Sequence, residues 1–187
     1  MQIFLRIHVF SLPKPLYVLA LASAVLMTGT PLAILVGGIV GSQLAPLPAL
    51  ATLPLAVLVF GVAGMASFAA RILNRHGYQR LFLTGTALCV SANTAAVLAL
   101  HWQSFYLWLM AMALIGSAGA CAQQMRFAIQ GFLQHQPKLI PVGISVFMLG
   151  GVLAAFIGPE LATHNVLDFL PTYSTGFILA SLLQVFA

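Results

Sequence analysis

Apolar residues in this chain fall in long, nearly unbroken stretches separated by short polar connections. A half-buried strand would alternate, and a surface helix would carry a narrow apolar stripe; neither pattern is present. A stretch of about 20 mostly apolar residues is instead long enough to cross a bilayer as a helix, the conformation in which a lone segment satisfies its own backbone hydrogen bonds in lipid. The pattern predicts six such spans, over residues 16–40, 50–73, 81–100, 105–132, 139–162 and 173–187. Residues 1–15 form a lead with Arg6, Lys14, Pro13 and Pro15, and the apolar run after it is too long for the core of a signal peptide.

Composition agrees with this picture and removes the alternatives. Only 5% of residues are charged and the mean hydropathy is +1.07, whereas soluble domains carry roughly 25% charged residues. The 187 residues are filled by the six spans, so no soluble domain is left over. The net charge of +5 is read by position. Arg71, Arg75 and Arg80 crowd the second connection, Arg126 and Lys138 flank the fourth, and Arg6 and Lys14 precede the first span. Glu160 and Asp168 fall toward the other side. Basic residues collect on the cytoplasmic side of membrane proteins, so both termini are expected there and a nucleic-acid partner is not. Cys89 and Cys121 stand inside apolar runs without metal-ligand spacing and read as buried thiols.

Helices in lipid associate where small residues let backbones approach. Gly150, Ala154 and Gly158 make such a stripe in the fifth span, Gly37 and Gly41 in the first, and Gly116, Gly119 and Ala120 in the fourth. The short connection from His101 to Ser104 makes the third and fourth spans antiparallel neighbours.

The second connection, Ala70-Arg71-Ile72-Leu73-Asn74-Arg75-His76-Gly77-Tyr78-Gln79-Arg80, resembles the signature loop between helices two and three of the major facilitator superfamily, Gly-x-Leu-Ala-Asp-Arg-x-Gly-Arg-Arg. Arg75 and Gly77 match it and Ile72 nearly does; Ala70, Asn74 and Tyr78 replace the first glycine, the aspartate and an arginine. In that family the loop is a cytoplasmic gating latch, which makes Asn74, Arg75, Gly77 and Arg80 gating candidates, with Asn74 in place of the latch's carboxylate. Gly150, Ala154, Gly158 and Pro159 look like the family's Gly-Pro-ended motif, best known in exporters, and Pro159 is expected to bend or end its helix. Arg126 to Gly131 departs by one residue from the family's Arg-x-x-Gln-Gly spacing, and if Gly116 is that motif's glycine, Met112 stands where the arginine would be.

The resemblance implies an all-α membrane fold like the N-terminal six-helix half of a facilitator, and secondary transport of a small molecule by alternating access. Family members usually have two such halves, and this chain stops at Ala187 without the usual polar connector. The expectation is a truncated, split or frameshifted permease that works with a second six-helix half; the alternative is a six-span unit that dimerises with a copy of itself. An intramembrane enzyme would need a nucleophile in a Gly-x-Ser-Gly turn with a membrane histidine, or clustered aspartates for a metal. Neither constellation is in the sequence, so no catalytic residue, metal or cofactor is expected.

Polar residues at membrane depth are the candidates for function. Thr28 and Thr30, beside Pro31, interrupt the first span and either line a cavity or accompany a proline kink. Gln123 and Gln124 must face another helix or water, and Arg126 either snorkels to the interface or lines the inner vestibule. Asn93 is deep in the third span, a helix that is peripheral in the resembled fold, which implies a hydrogen bond between helices rather than substrate contact. Glu160 is either a solvated helix end or a group exchanging protons with the far side. The histidines at 76, 101, 135 and 164 fall in connections, where surface placement accounts for them.

Overall fold

The computed structural model describes residue 25, residues 27–133, 137–163 and 173–186. Among these residues the fold is entirely helical: α1 (Gly29–Leu44), α2 (Leu53–His101), α3 (Phe105–Phe132), α4 (Ile140–Thr163) and α5 (Ser174–Phe186), with 3-10 turns at Pro48–Leu50 and Pro137–Leu139. The part of the first expected span before residue 25 lies outside the described residues, as do the lead with Arg6 and Lys14, and Asp168. Three stretches are long and apolar enough to cross a membrane by length and composition: Pro48–His101, Phe105–Gln124 and Pro137–Phe156. Gly29–Leu44 and Ser174–Gln184 are apolar but shorter.

The second connection is not a loop. Helix continues through Arg71 to Arg80 except at Gly77, whose φ of 76° and ψ of −177° break α2 into a first arm (53–76) and a second arm (78–101). Alanine, isoleucine, leucine and arginine up to the break favour helix, and no proline stands between Leu55 and Arg80 to end it. Only glycine adopts this region of backbone space readily, so one residue makes the whole turn. The next turn is built differently. Gln103 takes a positive φ of 51°, and Ser104 starts α3, its carbonyl accepting from Trp108 N at 3.0 Å and its Oγ from Leu107 N at 3.5 Å.

Helix α3 is the centre of the packing. A Cβ on Gly61 would meet the Ala113 carbonyl, and one on Gly116 would meet the Leu58 carbonyl, so the first arm and α3 touch backbone to backbone. Ser117 Oγ adds a hydrogen bond to Ala113 O (2.8 Å) and a longer one to Gly61 O (3.4 Å). Gly37 sits under Met112, Gly85 lies against Cys121, and Trp108 meets Phe177 edge-on at 5.9 Å and 83°. These pairs fix directions. Thr30 faces Gly119 while Gly37 faces Met112, so α1 is antiparallel to α3; Tyr78 faces Gly131 while Gly85 faces Cys121, so the second arm is antiparallel to it too.

The core holds Leu32, Val36, Ala96, Trp108, Met112, Ile115 and Phe177. Outside it, Phe60, Phe156 and Tyr106 are 75%, 74% and 79% exposed. An apolar exterior of this kind suits lipid rather than water. Cys89 and Cys121 are both buried. Gly150 and Ala154 are buried on α4, and α4 runs past Pro159 to Thr163, so that proline does not end the helix. The side-chain surroundings of Gly158, Pro159 and Glu160 lie outside the described residues.

Candidate functional site

A groove opens where α1, α3 and α4 diverge. One part, of about 280 Å³, is lined by Met27, Gln123, Phe147, Met148 and Gly151. An adjoining part of about 180 Å³ shares Met27, Gln123 and Gly151 and adds Thr30, Pro31 and Gly119. Local sequence explains the opening. Gly119 leaves room beside Thr30, since a Cβ there would lie 3.0 Å from Thr30 Oγ1, and Gly151 contributes no side chain opposite Met27. The walls are thioether, aromatic ring and glycine, with the Gln123 amide and Thr30 hydroxyl as polar points. Such a mixture can hold the apolar body of a solute while orienting it through a few hydrogen bonds.

The structure brings two of the sequence candidates, Thr30 and Gln123, into this groove. Thr28 is 2% exposed and its Oγ1 donates to the Val25 carbonyl at 2.7 Å, which ties it to its own helix. Its backbone stays in the right-handed helical region, so α1 is not unwound there. Gln124 is half-buried and does not line the groove with Gln123. Arg126 is on α3, with its side-chain surroundings outside the described residues. Met27, Phe147, Met148 and Gly151 were not singled out from sequence. Each is an apolar or small residue within an apolar run, and only helix arrangement distinguishes it from its neighbours.

One of the gating candidates lines a second cavity. Asn74 lines a space of about 490 Å³ with Leu73, Tyr78, Phe127, Gln130 and Gly131. Tyr78 reaches across to Gly131, where its hydroxyl occupies the position a Cβ would take. Arg75 and Arg80 are exposed, and the Arg80 carbonyl accepts from Thr84 Oγ1 at 2.7 Å.

A buried polar clasp ties the helices on the far side of the core. Asn93 Nδ2 donates to Gln184 Oε1 at 2.9 Å, joining the second arm of α2 to α5, and Gln184 Nε2 approaches the Val25 carbonyl at 3.5 Å. Asn93 therefore bonds between helices, as the peripheral place of the third span in the resembled fold implied.

No protein-family model and no solved structure matches the chain. Two curated proteins do. The riboflavin transporter RfnT of Brucella anthropi is 29% identical over 148 residues, covering 79% of this chain and 37% of the relative. An uncharacterized MFS-type transporter of Bacillus subtilis, YdeG, is 25% identical over 174 residues, covering 90% of this chain and 40% of the relative. The chain is thus similar to two proteins named as transporters, one of them of the MFS type, and not to named enzymes. It spans about two-fifths of the length of these relatives.

Proposed function

We propose that this chain crosses the inner membrane six times, with both ends in the cytoplasm, and forms one bundle of a secondary transporter that moves a small organic solute by alternating access. The observation that carries the reading is the groove between α1, α3 and α4, where Gln123 and Thr30 face an open space. Polar side chains in such apolar helices are costly unless a partner or a water-filled path meets them. The break at Gly77 supports the crossing count, because it divides a helix of 49 residues into two arms, each near the length of one crossing.

Alternating access needs a second bundle to rock against this one. A second six-helix half supplies it in this reading, and a copy of this chain is the alternative partner. The first solute to test is riboflavin, the named substrate of the RfnT relative. Its flat aromatic ring system suits walls of methionine and phenylalanine, and its ring carbonyls and N–H suit an amide such as Gln123. The Gly150–Pro159 pattern leads us to place the direction as export, with Glu160 as a candidate proton site.

The test is riboflavin flux in right-side-out and inverted vesicles from a bacterial host deficient in flavin transport, with the chain expressed alone and beside a second six-span half. Flux that depends on the chain and falls in Gln123→Ala is expected. Absence of flux for riboflavin and a panel of neutral aromatic solutes in both preparations would refute the reading. Native mass spectrometry on the same membranes separates the partners, since a stable dimer of this chain alone favours the copy.

A further inference from the structure

The basic end of the molecule combines a charged patch with a cavity. Arg71, Arg75, His76 and Arg80 are all exposed around the Gly77 break. Beside them, between the first arm and the end of α3, lies the 490 Å³ space bordered by Asn74, Tyr78 and Gln130. Arg71 and Asn74 are three residues apart on one arm, which puts them on the same helix face. Asn74 is the cavity-lining member of that face, and the exposed Arg71 and Arg75 stand one helical turn before it and directly after it.

Neither helix that borders the cavity carries a carboxylate. The sequence has two, Glu160 and Asp168, and neither is on α2 or α3. Asn74 and Gln130 offer amide donors to the cavity, and the exposed arginines around Asn74 bring positive charge to its rim, a combination that suits an anion. At the end of apolar helices the surrounding medium is the bilayer surface, which carries phosphodiester groups at high local density. Guanidinium and amide groups match phosphate oxygens in geometry and charge.

We propose that this cavity binds the phosphate headgroup of an anionic phospholipid, with Asn74 and Gln130 donating to its oxygens and Arg71 and Arg75 neutralising its charge. The proposal rests on the membrane reading given above and is independent of which solute is moved. A lipid held there would join the Gly77 turn to the end of α3, the two elements that Tyr78 and Gly131 already bring together.

Native mass spectrometry of the full chain, purified in neutral detergent and titrated with phosphatidylglycerol or phosphatidylcholine, tests it. Phosphatidylglycerol should be retained in preference to phosphatidylcholine. Arg71→Gln and Arg75→Gln should each weaken it about fivefold. Gln130→Ala should also weaken it about fivefold, a loss that diffuse attraction to a charged surface would not produce. Asn74→Asp, which supplies a carboxylate, should weaken it further. Equal retention of the two lipids, or full retention by the Arg71→Gln, Arg75→Gln double variant in its folded, monodisperse form, overturns the proposal. Displacement of the lipid by millimolar inorganic phosphate also overturns it, assigning the cavity to a free anion. Solute flux is scored separately: lipid retention without flux counts against the transport reading and leaves this one standing.

Discussion

Two levels of α3 differ in how closely their neighbours pack. From Phe105 to Ala122 one face of the helix is closed off, with Trp108, Ala111, Met112, Cys121 and Ala122 fully buried, while Tyr106 and Met110 point outward. Among the described residues from Gln123 onward, Gln123, Phe127 and Gln130 are exposed. The difference comes from the neighbours rather than from helix propensity. Gly61 and Gly116 let the first arm close on the enclosed half, while Gly119 and Gly151 remove side chains that would fill the groove at the open half. In lipid, apolar area alone does not pull helices together, so small residues decide where backbones meet and where space remains. A glycine can therefore close a contact at one level and leave a cavity at the next.

The largest effect should follow from forcing the closed half apart. In Gly116→Val the new Cβ would meet the Leu58 carbonyl and lie 3.1 Å from Val62 N, and neither backbone group can swing away. Overpacking of this kind costs about 3 kcal/mol or more when backbone must move. The expected result is a large loss of monodisperse protein in detergent and a clearly lower thermal midpoint. Wild-type yield and midpoint would show that α2 and α3 do not approach as closely as these glycines indicate.

The Gly77 break comes next. Alanine at its φ of 76° and ψ of −177° should cost about 1–3 kcal/mol. Gly64→Ala is the matched control, since nothing lies within 4 Å of a Cβ there and the residue is inside the first arm. It should be neutral or stabilise by up to about 1 kcal/mol through helix propensity. Thermal unfolding of both variants in one detergent makes the comparison; equal midpoints would mean that the break carries no strain for alanine.

A smaller effect is expected at the clasp. Asn93→Ala removes the donor to Gln184 inside the apolar core, and interhelical hydrogen bonds of this kind average about 0.6 kcal/mol in membranes, with a maximum near 1.7 kcal/mol. A double-mutant cycle with Gln184→Ala should return a coupling of about that size. A coupling indistinguishable from zero would mean that the two side chains do not share a bond in the folded protein.

How much of this was legible in the sequence depends on whether a feature is local. The apolar stretches gave helices, because length and hydropathy are properties of the segment itself. Gly77 matched a known turn, yet the surrounding segment read as a connection because its arginines and Asn74 are polar; in the structure they remain helical and simply project outward. The role of Asn93 followed from the peripheral place of its span in the resembled fold, but its partner Gln184 was not legible, since partner choice depends on how α5 docks. The groove was half legible. Thr30 and Gln123 stand out as polar residues in apolar helices, whereas Met27, Phe147 and Gly151 become recognisable only when α4 is set against α1 and α3. Thr28 resembles Thr30 in sequence and differs from it by facing the core.

That pair, Thr30 and Thr28, together with Gln123, supplies the smallest effect on stability and the most direct test of the open half of α3. Gln123 is exposed in the groove, so Gln123→Ala removes no buried packing and should change stability by less than about 0.5 kcal/mol. If a solute accepts from or donates to that amide, losing one hydrogen bond worth about 1–1.5 kcal/mol should raise the apparent KM roughly tenfold. Thr28→Val reverses the expectation. It deletes a hydroxyl bonded to the Val25 carbonyl in the closed core, so it should lower stability by about 1 kcal/mol and leave the KM unchanged. Flux and thermal midpoint measured on both variants give four numbers whose pattern is set by the packing. A KM raised equally in both would mean that solute does not distinguish the groove from the core, and the path would have to be sought elsewhere in the bundle.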